Sequence, residues 1–196
     1  NSHCVDLAHF LVGTISEVTA LSTNFITQRP LAEGNTEGNL KASASGQGLG
    51  EVTVEDAALM LVKFTNGAIG SFEATRFANG RKNRLTFEIY GSKGSLVFDL
   101  ERMNELQFYS NQEDSSIKGF KNILVTEESH PYIKQWWPAG HIIGYEHTFV
   151  HAVADFTNAV ADNRNIRPNF EDGLEIIKVL EAGLASSVQE NTITIK

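Results

Sequence analysis

At 196 residues the chain can build one large domain or two small ones around a real core, and its 41% hydrophobic and 20% charged residues are those of an ordinary globular protein. A net charge of −8 excludes a nucleic-acid partner, because neutralising phosphates takes a basic face, and no apolar run approaches the ~20 residues that span a bilayer, so no membrane partner is expected. The single cysteine, Cys4, excludes an internal disulfide framework; it is read as a small packed hydrophobe, and a cytoplasmic setting is expected.

The chain opens on Asn1 without an initiator Met and with helical patterning by residue 3, so a longer protein or a missing upstream segment is expected. Residues 2 to 13 read as a short helix that Ser2 caps and Gly13 ends. Cys4, Leu7, Phe10 and Leu11 form its apolar face, with His3 within about 40° of Leu7. Residues 15 to 27, rich in Val, Thr, Ile and Phe, read as a strand. The Gly/Ser/Asn-rich residues 32 to 50 read as a surface loop; Gly46, Gly48 and Gly50 do not make the GxGxxG of a phosphate cradle.

From residue 55 to 109 the pattern is β. An apolar run from Ala57 to Thr65 meets a two-residue turn at Asn66-Gly67 and a partner strand from Ala68 to Phe77. Between Arg84 and Tyr90, Leu85, Phe87 and Ile89 alternate with Arg84, Thr86, Glu88 and Tyr90, so the strand has unlike faces. The turn Gly91-Ser92-Lys93-Gly94 leads into a strand from Ser95 to Leu100, and Leu106 to Tyr109 adds another. The last third is helical. Residues 145 to 162 carry the stripe Phe149, Val153, Phe156 and Val160, and a second helix after Asn169 runs through Leu174, Ile177, Leu180, Leu184 and Val188. A closing strand, 192 to 196, suits a sheet edge. The predicted class is α+β: a large, mostly antiparallel open sheet with helices packed on one face.

Four groups of residues carry candidate chemistry. His3 reads either as a core histidine of a short helix or as a general acid/base at a helix start, where the dipole favours the neutral imidazole. The stretch His130 to His147 gathers two tryptophans, two tyrosines and three histidines in eighteen residues. Hydrophobic burial does not call for that mixture, whereas it suits binding of a hydroxylated ring, whose C–H faces stack on aromatics and whose hydroxyls hydrogen-bond. Trp137, His141, Tyr145 and His147 are the substrate-binding candidates there, against the plain reading of a surface loop pinned by its tryptophans. His147 and His151 are one helical turn apart, a zinc-ligand spacing, but HTFVH lacks the Glu of HExxH and no further ligand has a partner spacing. They lie about 160° and 200° from Phe149, so a solvated or interface face is expected and no metal. Finally, Arg76, Arg81, Lys82 and Arg84 cluster with Asn79 and Asn83 around Gly80, either as a charged connection or, through Arg76 and Arg81, as a rim for an oxygen-rich substrate.

Several of these stretches together resemble the Gfo/Idh/MocA family of oxidoreductases, which includes inositol dehydrogenase and glucose–fructose oxidoreductase. The opening NSHCVDLAHFLVG is similar to that family's G-x-H-x-x-D-x-x-x-x-L-x-G segment. EDAALMLVKFTNGAIGSFEAT resembles its strand–NG–strand hairpin, FEIYGSKGSLVFDL its G-x-x-G-S-L strand pair, and PNFEDGLEIIKVLEAGLASS its final helix. The resemblance implies that residues 1–196 are a single substrate-binding and oligomerisation domain. The family's Rossmann domain, with its dinucleotide loop and catalytic lysine, would lie upstream. His3 matches the catalytic histidine; the partner aspartate would fall before residue 1, and Asn1 departs from the usual Gly. The implied chemistry is hydride transfer between a sugar, inositol or related polyol and NAD or NADP, with His3 as base or relay. This chain alone would bind no cofactor and be inactive. The implied homo-oligomer would form through the open sheet face, where Thr86, Glu88 and Tyr90 are candidates. The alternative is a non-catalytic sugar- or cofactor-sensing regulator of the same fold.

Overall fold

The computed structural model describes residues 1–31 and 48–196; most of the expected Gly/Ser-rich surface loop, 32–47, lies outside the described residues. Helices and antiparallel strands are mixed, so the class is α+β as the sequence predicts. The strands divide between two compact units, Asn1–Asn79 with Phe170–Lys196 and Gly80–Asn169. The polar run from Arg76 to Arg84 separates them, because such residues give neither face of a sheet anything to bury.

In the first unit, β1 (Ile15–Thr23), β4 (Ala57–Phe64), β5 (Ile69–Thr75) and β10 (Ile193–Thr194) form an antiparallel sheet in the order β10-β1-β4-β5. The closing strand does sit at a sheet edge. A short ribbon pairs β2 (Gln28–Pro30) with β3 (Leu49–Glu51). Period-two patterning decides the faces: Met60, Val62 and Phe64 are buried while Leu59, Leu61 and Lys63 are exposed. The helices α1 (Ser2–Leu11) and α3 (Phe170–Gln189) contribute Val5, Val179 and Ala182 to the core those residues form with Ile15, Val18 and Ala20. Gly183 allows the close approach of α3, since a Cβ there would stand 2.9 Å from Met60 Sδ. Ser186, fully buried, accepts from Ala20 N at 2.9 Å and donates to Asn191 O at 2.5 Å, which satisfies it on both sides.

Two local expectations change. In α1 the core-facing residues are Val5, Ala8 and Val12, whereas Phe10 is 84% exposed and Leu11 40%. Small and β-branched side chains at that spacing let α1 sit close to its neighbours, and the bulkier face turns outward. The hairpin after β4 is also one residue longer than predicted. Gly67 N donates to Phe64 O and Phe64 N to Ala68 O, with Gly67 at φ +88°, a three-residue loop closed by a left-handed glycine.

The second unit is a meander, β6 (Thr86–Gly91), β7 (Gly94–Asp99), β8 (Glu105–Ser110) and β9 (Lys121–Leu124), paired in that order. The strand β9 escapes sequence reading, because four residues between polar stretches show no period. At the β6–β7 turn Gly94 lies against β8; a Cβ there would stand 2.2 Å from Tyr109 O. The helix α2 (Tyr145–Ala161) follows a long loop. It buries only Ala159, and its stripe Phe149, Val153, Phe156 and Val160 is exposed. What its own unit covers instead is the edge bearing His147 and His151, both half-buried. No helix among the described residues is long and apolar enough to cross a membrane.

Candidate functional site

The candidate residues fall into a set in each unit. In the first, His3 lies in the opening turn of α1 and is exposed, so the reading of it as a core histidine does not hold. Its neighbour Ser2 helps line a cavity of about 430 Å³, within the range of small-ligand sites. Its lining includes the small residues Ala20, Ala58, Ala74 and Gly183 together with Arg76. Arg76 N donates to Asp56 O at 2.9 Å, which fixes its backbone, while its guanidinium has no hydrogen bond or ion pair among the described residues. A guanidinium free of carboxylates is available to a ligand's oxygens.

Asp56 shapes this end of the unit, a role that sequence pattern did not single out. Its buried carboxylate accepts from Phe25 N and Ile26 N, both at 2.9 Å, and from Arg29 Nη2 at 3.4 Å. The Ile26 N–H leads in holding the carboxyl below the usual range, with the Phe25 N–H and Arg29 adding to it. Phe25 then meets Phe77 edge-on at 5.0 Å. At the other end of α1, His9 Nε2 accepts from Ile15 N at 3.4 Å. Burial pushes this imidazole's pKa down, against the opposing pull of Glu175, Asp6 and Asp172.

In the second unit the basic cluster is largely spoken for. Arg81 Nη1 reaches Glu101 Oε2 at 3.4 Å, and Arg84 Nε reaches Asp99 Oδ2 at 3.6 Å. The Lys82 N–H and then Arg81 hold Glu101 below the ordinary carboxylate range. Arg81 is therefore tied to its own unit's acids, unlike Arg76.

The loop before α2 is the more elaborate arrangement. Trp137 is 71% exposed, its ring 6.2 Å from that of His141, whose Nδ1 lies 2.8 Å from Pro138 O. Tyr145 is exposed and packs edge-on to Phe149 at 5.3 Å. These three offer faces to solvent. His147 does not: its Nδ1 accepts from Gly144 N at 3.0 Å and its ring lies edge-on to Trp136 at 4.4 Å, so it closes the start of α2. The loop's inner side is built by residues that sequence reading passed over or valued differently. Trp136 Nε1 donates to His151 Nε2 at 2.7 Å, Tyr132 stacks on His151 at 4.3 Å, and Tyr132 Oη donates to Asp155 Oδ2 at 2.6 Å. That hydrogen bond, with some burial, raises the Tyr132 pKa. Asn104 clamps the loop's end, donating to Ile143 O at 2.8 Å and accepting from Ile143 N at 3.0 Å.

The expected solvated or interface face of α2 is thus an interface with this loop. His147 and His151 each commit a nitrogen lone pair to an N–H donor, and among the described residues no group of three or more His, Cys, Asp or Glu could hold a metal ion. The first turns of α2 and α3 carry acidic residues, Glu146 and Glu171 with Asp172.

The model of the oxidoreductase family C-terminal alpha/beta domain, GFO/IDH/MocA, matches residues 1–195. The chain belongs to that family. Members similar to it include the levoglucosan dehydrogenase of Pseudarthrobacter phenanthrenivorans, 37% identical over 196 residues, which are 99% of this chain and 50% of that protein. Among solved structures, an oxidoreductase domain protein from Kribbella flavida is 45% identical with a TM-score of 0.88, covering 100% of this chain and 48% of that one. A levoglucosan dehydrogenase in complex with NADH and levoglucosan is 34% identical with a TM-score of 0.86, covering 99% and 48%. The chain therefore spans about half the length of these Gfo/Idh/MocA relatives.

Proposed function

We propose that this chain is the substrate-binding domain of an NAD(P)-dependent dehydrogenase acting on a sugar or related polyol. The carrying observation is the 37% identity to a levoglucosan dehydrogenase across nearly the whole chain. Residues 1–196 serve as one functional domain, and the nucleotide is held by a Rossmann domain outside this chain. His3, exposed at the beginning of α1, accepts the proton of the hydroxyl being oxidised, directly or as a relay. Arg76, whose guanidinium is unpaired among the described residues, donates to substrate oxygens; Arg81 does so less readily because Glu101 competes for it. Trp137, Tyr145 and His141 form a platform on which a sugar's C–H face stacks, and His147 supports it from within.

The chain by itself is inactive and acts as a wall of the site in the whole cytoplasmic protein. That protein is a homo-oligomer through the open face of the first unit's sheet, where Leu21, Leu59 and Leu61 are 69%, 51% and 65% exposed. The residues expected on the open face, Thr86, Glu88 and Tyr90, lie instead on β6 of the second unit's sheet, where Glu88 and Tyr90 are exposed and Thr86 Oγ1 donates to Phe98 O at 2.6 Å. The test is NAD⁺ and NADP⁺ reduction by the whole protein with levoglucosan, inositols and aldoses. Turnover of at least one is expected. No turnover of any, with the cofactor bound, rejects the proposal.

A further inference from the structure

We propose that His151 is a positioning residue: by accepting the Trp136 indole N–H it fixes the loop 130–144 and, through it, the direction in which Trp137 faces the sugar. The proposal rests on the reading of that loop as a sugar platform. Trp136 and Trp137 are adjacent in sequence but do opposite things. Trp137 is 71% exposed, while Trp136 is half-buried and its Nε1 lies 2.7 Å from His151 Nε2. An indole N–H can only donate, so this bond requires the neutral imidazole with its proton on Nδ1.

The same ring is held on its flat side. Tyr132 stacks on it at 4.3 Å with the planes 11° apart, although Tyr132 sits at φ +66°, a left-handed conformation unfavourable for a bulky residue. Its hydroxyl is drawn the same way by Asp155, one turn further along α2. The titratable groups around His151 are therefore Tyr132 and Asp155 on one side and His147, itself 3.4 Å from Glu146, on the other. Among the described residues the indole N–H donates to His151 and to none of these groups. His147 Nδ1 is taken by Gly144 N, and its ring meets Trp136 edge-on. Among the described residues His151 is the one that joins the two aromatic residues bracketing the 3₁₀ turn Ile133–Gln135, so it sets where the next residue, Trp137, begins.

The test uses the whole protein that contains this chain, with levoglucosan as the assayed sugar. His151→Leu removes the acceptor, His151→Gln keeps one, and Trp136→Phe removes the donor. The expected result is a shift of the Trp136 indole N–H resonance in His151→Leu and a KM for levoglucosan raised about tenfold, with kcat within about twofold. His151→Gln restores most of both. Trp136→Phe raises KM similarly, and the double variant Trp136→Phe/His151→Leu is no worse than either alone. A moved resonance with unchanged KM overturns the proposal by removing its basis, the loop as platform. A raised KM with an unmoved resonance overturns it differently, leaving the platform and making His151 a direct substrate contact. If His151→Leu does not fold, His151→Gln and Trp136→Phe decide it, because equal KM values in those two contradict the role of the hydrogen bond.

Discussion

Single residues in this chain are legible as chemistry only when the sequence fixes their surroundings. Trp136 and Trp137 occupy the same dipeptide, and nothing in pattern separates the one that braces the loop from the one that faces outward. His3 could be raised from packed residue to catalytic candidate only through resemblance; its exposure now removes the packed reading without placing a substrate beside it. His9 drew no attention in sequence, since a histidine in the last turn of a helix looks like a charge on the dipole. It is instead a partly buried acceptor for Ile15 N, and burial lowers its pKa below the ordinary value of about 6.5. The unfolded chain then binds the proton more readily than the folded one. The stability that the neutral ring contributes is complete above about pH 6.5 and is lost as pH falls toward and through the lower folded value. Thermal unfolding followed from pH 7.5 to 5 should show a loss that His9→Gln reduces. An identical pH dependence in the variant would refute this assignment.

At the scale of elements, the strongest local signals survived best. The run from Ala57 to Phe64, the Asn-Gly turn and the long amphipathic α3 all form close to where periodicity puts them. Two kinds of information were missing. Which face of α1 packs depends on how near α3 comes, a tertiary distance that favours Val5 and Ala8 over Leu11 and Phe10. The strand β9 depends on an available edge of β8, because its four residues have little β signal of their own. The G-x-x-G-S-L stretch was legible as a turn, but the reason for its second glycine is a contact beyond the turn. Gly94 has β8 backbone where a methyl group would stand, 2.2 Å from Tyr109 O. Gly94→Ala must therefore part β7 from β8, and its cost should fall in the upper part of the ~0.5–3 kcal/mol range of single substitutions. Gly119→Ala, which meets nothing within 4 Å, is the control. Equal denaturation midpoints for the two variants would contradict the close approach.

For the molecule as a whole, sequence gave the class and the antiparallel pairing, whereas the division of strands between two sheets came from the structure. The polar segment that divides them is the charged connection that its sequence allows, but a polar run does not say that the strands on its two sides join different sheets. The exposed leucines of the first sheet are the proposed interface between copies. Leu61→Glu should shift the sedimentation of the intact protein toward the monomer, and unchanged sedimentation would rule that face out as the interface. The chain spans about half the length of its relatives, so the proposed chemistry is tested on the intact protein. The most direct measurement is turnover of NAD(P)⁺ by that protein with the most active sugar of the panel, comparing wild type with His3→Asn. The account predicts a kcat lowered about 10²–10⁴-fold with cofactor affinity unchanged. A variant that turns over as fast as wild type would contradict it.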